Sequence, residues 1–144
     1  MSSLNENASP FQPPVTFMGV PHRADAGDAR AVILGLPFDC GTHPTRVGSR
    51  MGPASIREQS QLLRAYDGDT GINPLEKLKV VDLGDARVAC GDFETSYPAI
   101  EAAMEVALAG GAVPITLGGD GAVALPQMRA LHKRYPDLVA VHLD

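Results

Sequence analysis

The sequence predicts an α/β domain with a mostly parallel sheet. Short apolar runs alternate along the chain with segments in which apolar residues recur at helical spacing. The apolar runs are continuous, which is typical of parallel strands that are buried on both faces. The predicted strands are residues 31–36, 80–83, 113–117 and 138–143, and the predicted helices are residues 53–66, 97–109 and 124–135.

The composition excludes several classes of protein. The net charge is -5 and the chain has no basic run, so nothing favours binding to nucleic acid. No apolar stretch approaches the ~20 residues of a membrane span. The N-terminus lacks the basic and apolar regions of a secretory signal, so we expect a cytoplasmic protein.

The chain divides into an N-terminal arm and one domain. Residues 1–29 are polar and rich in proline and glycine, which favours an extended or partly disordered arm over the surface. Residues 30–144 carry the predicted strands and helices. Cys40 and Cys90 are far apart in sequence and form no Cys-x-x-Cys motif, so we expect buried, unreactive thiols.

The first strand is the apolar run AVILGL at residues 31–36, which opens into a loop. Gly52-Pro53 then predicts a helix start, because proline suits the first helical turn. The helical spacing predicts a buried face made of Ile56, Leu63 and Tyr66. It leaves three charged residues for solvent, namely Arg57, Glu58 and Arg64.

The second strand, residues 80–83, ends at Gly84-Asp85. The helix predicted at residues 97–109 is the most regular in the chain. Ser96 is its expected N-cap, with Pro98 in the first turn. Gly110-Gly111 marks its end.

The last predicted unit is strand, glycine turn, helix and strand, which makes a right-handed βαβ unit. Asp120 and Asp144 follow its two strands and so lie at the edge where parallel sheets bind ligands. Residues 119–124, GDGAVA, also fit the dinucleotide fingerprint, with Asp144 as the acid for a ribose hydroxyl. A tight structural turn explains the same residues.

Several longer motifs are more specific than this fingerprint. The segments GLPFDCGT, GSRMGPASIR, VDLGD, ITLGGD and VHLD occur in this order at residues 35–42, 48–57, 81–85, 115–120 and 141–144. Together they resemble the ureohydrolases, the arginase and agmatinase family, and most closely its agmatinase or guanidinobutyrase branch. The resemblance covers residues 31–144. It implies a three-layer αβα fold that is incomplete at its C-terminus.

The resemblance implies a site for two Mn²⁺ ions that hydrolyses a guanidino compound to urea and an amine. Asp144 matches a metal ligand, whereas Gly121 occupies the position of an expected histidine ligand. Asp120 either orients a metal ligand or caps the next helix, and capping is favoured. The possible rim of the site consists of Thr42, His43 and Arg46. Four further ligands are expected after residue 144, so we expect poor or no metal binding by this chain alone.

The other polar residues receive structural interpretations. We interpret Asp39, Asp82 and Asp85 as structural, His142 as a core or interstrand residue, and His22 and His132 as surface residues. Two alternatives to the enzyme fragment stay open. One is a dinucleotide-binding module, and the other is a non-catalytic fragment or subunit that associates with a complete ureohydrolase. Open strand edges also predict a homo-oligomer.

Overall fold

The computed structural model describes residues 13–43, 45 and 47–143. Its sheet contains three parallel strands in the order β2-β1-β3. The strands are β1 Ala31–Leu36, β2 Val81–Asp85 and β3 Val113–Gly118. The predicted bounds of β1 are confirmed, and those of β2 and β3 are correct to within two residues.

Four α-helices accompany this sheet. They are α1 Gly52–Ser60, α2 Pro74–Lys77, α3 Phe93–Leu108 and α4 Ala124–Arg134. Short 3-10 helices span Phe17–Gly19, Ser49–Met51, Ala109–Gly111 and Gly121–Val123. Among the described residues, no helix is long and apolar enough to cross a membrane.

All six residues of β1 are buried, because protein covers both faces of this central strand. Val32, Leu34 and Leu36 pack on one face with residues of α3 and α4, including Ile100 and Ala130. On the other face, β1 contributes Ala31 and Ile33 to a smaller cluster with Val20, Val80 and Leu117. Helix α1 also lies on this second face. The predicted three-layer αβα class is confirmed.

Helix α1 differs from its predicted form. It ends at Ser60 instead of residue 66, and Ile56, Leu63 and Tyr66 are exposed. Arg57, which the spacing assigns to solvent, is only 6% exposed. The polar side of this helix faces the sheet because Arg57 pairs there with acidic side chains of β2.

Helix α3 begins four residues earlier than predicted. Asp92 is its N-cap, and its carboxylate accepts a hydrogen bond of 3.1 Å from the amide of Thr95. Ser96, the predicted cap, is buried within the helix, where its hydroxyl donates to the carbonyl of Ala89 at 2.8 Å. Pro98 lies inside the helix rather than in its first turn.

The strand predicted at residues 138–143 is wrong: this segment has no strand pairing in the described structure. Val139 and Val141 are 82% and 84% exposed, and His142, interpreted as a core or interstrand residue, is exposed as well. In the predicted βαβ unit, residues 138–143 would pair with the outer edge of β3. There, Pro114 supplies no N–H donor, and Val113 and Ile115 of β3 are themselves exposed.

The N-terminal segment packs against the domain from Thr16 onwards, whereas residues 13–15 are exposed. Thr16, Val20, Ala26 and Ala29 are buried, and the amide of Phe17 donates to the carboxylate of Asp82 at 2.9 Å. Residues 1–12 of the predicted arm lie outside the described residues. Phe17 and Val20 of this segment pack on the second face of the sheet, which α1 also covers, whereas Ala26 and Ala29 join the cluster on the first face.

Candidate functional site

Three loops meet at the carboxyl ends of the parallel strands, where such sheets bind ligands. Residues 37–43 follow β1, residues 86–92 follow β2, and residues 119–121 follow β3. We call this place the carboxyl-edge site. The backbone ties the loops together, because the amide of Asp120 donates to the carbonyl of Phe38 at 2.9 Å and that of Gly91 to Asp39 at 3.0 Å.

Asp120 fixes two of these loops at once. One carboxylate oxygen accepts hydrogen bonds from the amides of Gly41 at 2.8 Å and Thr42 at 3.1 Å. The other accepts from the amide of Ala122 at 3.0 Å, which caps the helical turn that precedes α4. The carboxylate thus holds the β1 loop against the β3 turn.

The two glycines beside Asp120 have different surroundings. A Cβ atom on Gly119 would stand 2.2 Å from the carbonyl oxygen of Phe38 and 2.6 Å from that of Leu36, so only glycine fits there. A Cβ atom on Gly121 would meet only the Thr42 methyl, at 3.8 Å. Position 121 therefore accepts a larger side chain that projects beside Thr42.

Asp39 is completely buried and pairs with Arg50. Its carboxylate accepts from Nε of Arg50 at 2.9 Å and from the amide of Gly48 at 2.8 Å, and a second guanidinium nitrogen lies 2.8 Å away. The Arg50 guanidinium, followed by the Gly48 amide, holds the pKa of Asp39 well below its usual range. Asp39 is thus an ionised anchor for the chain between β1 and α1.

Arg57 forms a buried ionic cluster with two aspartates of β2. Its guanidinium donates to both carboxylate oxygens of Asp82, at 2.8 and 2.9 Å, and also bonds Asp85 and the carbonyl of Gly84, at 2.6 and 3.0 Å. Burial raises the pKa of Asp82, but hydrogen bonds from Arg57 and the amides of Phe17 and Gly84 lower it below its ordinary value. The cluster joins α1 to β2.

The described residues do not fit a site for two metal ions. They contain no group of three histidine, cysteine, aspartate or glutamate side chains arranged to hold an ion. Asp39, Asp85 and Asp120 all bond within the protein, and Gly121 has no donor atom. Of the predicted site residues, Asp144 and Arg46 lie outside the described residues. Thr42 and His43 are both exposed, and their role at the rim stays a prediction.

The geometry also disfavours the dinucleotide alternative. A pyrophosphate needs free amides at the start of a helix. Here the amides of Gly119, Asp120 and Ala122 already donate to Leu36, Phe38 and the Asp120 carboxylate. That carboxylate stands where a phosphate would have to approach.

The structure brings together residues that the sequence did not connect. Cys40 and Cys90 lie in adjacent loops and are partly exposed, so the expectation of buried thiols is wrong. The arginines that partner Asp39 and Asp82 were not predicted either. An aspartate inside the apolar run Val80–Leu83 was the available signal, because a buried carboxylate requires a partner.

The fold and this site together define a class, a three-layer α/β protein whose strand-end loops meet at one edge of a parallel sheet. The family model of the Arginase family matches residues 29–144, so the chain belongs to that family. It is 36% identical over 132 residues to the guanidinobutyrase of Pseudomonas aeruginosa, covering 90% of this chain and 41% of that protein. It is 35% identical over 129 residues to the mitochondrial guanidino acid hydrolase of Homo sapiens, covering 90% and 36%.

Solved structures agree with this assignment. Proclavaminate amidino hydrolase from Streptomyces clavuligerus superposes with a TM-score of 0.83 at 30% identity, covering 93% of this chain and 44% of that one. Formiminoglutamase from Trypanosoma cruzi, solved with Mn²⁺, gives a TM-score of 0.68 at 27% identity, covering 84% and 41%. The chain thus spans less than half the length of these relatives.

Proposed function

We propose that this chain supplies part of a guanidino hydrolase that converts a compound of the agmatine or guanidinobutyrate type to urea and an amine. Membership in the Arginase family supports this substrate class, as do relatives named guanidinobutyrase and guanidino acid hydrolase. Residues 1–144 form the scaffold of the carboxyl-edge site and do not release urea alone.

One observation supports the proposal that residues 1–144 do not release urea alone. Each aspartate that the described residues bring to the carboxyl-edge site already accepts hydrogen bonds inside the protein. Metal ions activate the water that attacks a guanidino carbon, and each ion needs several ligand atoms that are free to bind it. Gly121 supplies no ligand atom. Asp120 instead positions the β1 loop, with Thr42 and His43 at the rim.

The first test is a measurement on residues 1–144. We expect no stoichiometric metal after dialysis against Mn²⁺-free buffer, and no urea from agmatine or 4-guanidinobutyrate. Metal analysis and a colorimetric urea assay measure the two quantities. Two bound metal ions per chain, together with urea release, would show that the scaffold assignment is wrong.

The second test asks whether Gly121 is an emptied ligand position. Residues 1–144 are fused to the C-terminal half of the Pseudomonas aeruginosa guanidinobutyrase, with position 121 as glycine, histidine or alanine. Gly121→His should raise both Mn²⁺ content and urea release, because it adds an imidazole where the backbone has room. Gly121→Ala is the matched control and should raise neither. Equal values for all three fusions would exclude a ligand role for position 121.

A non-catalytic subunit is the second candidate function, and the exposed segment after α4 favours it. Leu143 is 90% exposed and the outer edge of β3 has no partner strand in the described structure. Such a surface suits association with a complete ureohydrolase. Light scattering of the chain mixed with the Pseudomonas aeruginosa guanidinobutyrase tests this. Unchanged masses of the two proteins would exclude it.

A further inference from the structure

Cys40 and Cys90 lie in two neighbouring loops of the carboxyl-edge site, after β1 and after β2. The hydrogen bond from the Gly91 amide to the Asp39 carbonyl, 3.0 Å long, joins the peptide units next to both cysteines. It keeps their Cα atoms within about 8 Å of each other. A Cβ atom built on Gly91 would lie 3.7 Å from the Cβ atom of Cys40. Both thiols are free and partly exposed.

The surroundings of the two sulfurs are polar. Sγ of Cys40 lies 3.4 Å from a carboxylate oxygen of Asp39 and 4.0 Å from the guanidinium of Arg50. Sγ of Cys90 donates to the carbonyl of Pro37 at 3.5 Å. Burial raises the pKa of the Cys40 thiol, and the negative charges of Asp39 and of a Cys90 thiolate raise it further.

The backbone at Cys40 is also unusual. Its φ angle is +65°, a left-handed conformation that costs about 1 kcal/mol or more for a residue other than glycine. The position of Cys40 is fixed on one side by the buried Asp39 and on the other by Gly41, whose amide donates to Asp120.

We propose that Cys40 and Cys90 form a reversible dithiol–disulfide site that cross-links the β1 loop to the β2 loop. The oxidant is a hydroperoxide. One thiolate attacks its terminal oxygen, which gives a sulfenic acid and releases an alcohol or, from hydrogen peroxide, water. The second thiol attacks the sulfenic sulfur and expels water as the S–S bond forms. Two thiols are oxidised while one hydroperoxide is reduced, so atoms and electrons balance.

Forming this bond requires only a small movement. Disulfides join Cα atoms that are about 4.4–6.8 Å apart, and the bond from the Gly91 amide to the Asp39 carbonyl already holds the two Cα atoms within about 8 Å. The bridge ties residues 50 positions apart, so it reduces the conformational freedom of the unfolded chain. We expect the oxidised chain to melt about 5–10 °C higher than the reduced chain.

The direct test oxidises the purified chain with hydrogen peroxide and follows its intact mass. We expect a loss of about 2 Da, the loss of both titratable thiols, one peptide pair joined through Cys40 and Cys90, and full reversal by dithiothreitol. Cys40→Ser and Cys90→Ser are matched controls, and neither should show the mass loss or the rise in melting temperature. Sulfinic acids on separate cysteines, or a disulfide between two chains, would overturn the proposal.

A second measurement needs no variant. The equilibrium between dithiol and disulfide is measured in glutathione buffers, with the chain folded and in 6 M guanidinium chloride. Because the fold brings the thiols together, the disulfide should be at least about 100-fold more stable in the folded chain. Equal stability in both states would show that the fold does not create the site. Neither test depends on guanidino hydrolysis.

Discussion

The two strands that flank the central strand β1 differ in how well protein covers them. On the β2 side, Val81 is buried and the carboxylate of Asp82 has four hydrogen-bond donors. On the β3 side, Val113 and Ile115 are 62% and 47% exposed. Both strands pair in parallel with β1. Pairing with β1 therefore does not by itself bury a strand, because each strand also needs neighbouring layers that cover its two faces.

The largest expected effect concerns the Arg57 cluster on the β2 side. Arg57→Met leaves Asp82 buried without its cation, so the free energy of unfolding should fall by about 3–5 kcal/mol. The matched control is Arg64→Met, because Arg64 is exposed just after α1 and its replacement should change stability by less than about 0.5 kcal/mol. Urea unfolding followed by circular dichroism measures both. Similar losses in the two variants would contradict a structural role for the cluster.

The next effect concerns the β3 turn. Gly119→Ala places a methyl group against the backbone carbonyls of Leu36, at the end of β1, and Phe38, in the β1 loop, so we expect the free energy of unfolding to fall by about 1–3 kcal/mol. Gly121→Ala, two residues later, meets only a methyl group at 3.8 Å and should be nearly neutral. Thermal unfolding of the two variants gives the comparison. Equal melting temperatures would mean that the β1 loop moves freely away from the turn.

A smaller effect should appear in the pH dependence of stability. Asp39 and Asp82 have lower pKa values in the folded chain than the value of about 3.9 for an unfolded chain. Their contribution is therefore complete above that value and is lost as the pH falls through the folded pKa. Melting temperatures between pH 6 and pH 3 should fall less steeply for Asp39→Asn than for the unmodified chain. Asp137→Asn, at an exposed position, is the control and should leave the slope unchanged.

Substitutions in the exposed segment on the β3 side should have the smallest effect on stability, although they should change assembly. Val139→Asp and Val141→Asp introduce charge into the exposed apolar segment, so they should reduce association while changing stability by less than about 0.5 kcal/mol. Leu62→Asp is the control, since Leu62 is 81% exposed at the end of α1. Light scattering as a function of concentration measures association. If only the control reduces it, copies of the chain associate through α1 instead.

The sequence predicts the sheet well because its strands are short apolar runs with clear ends. Residues 31–36 are the clearest case, since a continuous apolar run between polar segments suits a strand that is covered on both faces. The same rule fails at residues 138–143. An apolar run reports that a segment can be buried, but it does not report whether a neighbouring layer is present to bury it.

The candidate site is less predictable because its contacts join distant parts of the chain. Helical spacing places Arg57 in solvent. Only the fold shows that Arg57 is buried, because it pairs with Asp82, which lies 25 positions away. The two cysteines are separated by 50 positions, and proximity of this kind leaves no local pattern. The sequence predicted the role of Asp120 in part. It favoured a capping role, which the structure has, but it did not predict the hydrogen bonds of Asp120 to the β1 loop.

The central place of β1 has a consequence for synthesis of the chain on the ribosome. β1 is made first, yet its partner strand β3 begins 77 residues after Leu36, at Val113. At about 5–20 residues per second, the ribosome needs roughly 4–15 s to make that intervening stretch. During this interval AVILGL has no partner on one side, and its apolar residues are open to chaperones and to other nascent chains. Pulse proteolysis of stalled nascent chains, with lengths before and after β3, would measure this window.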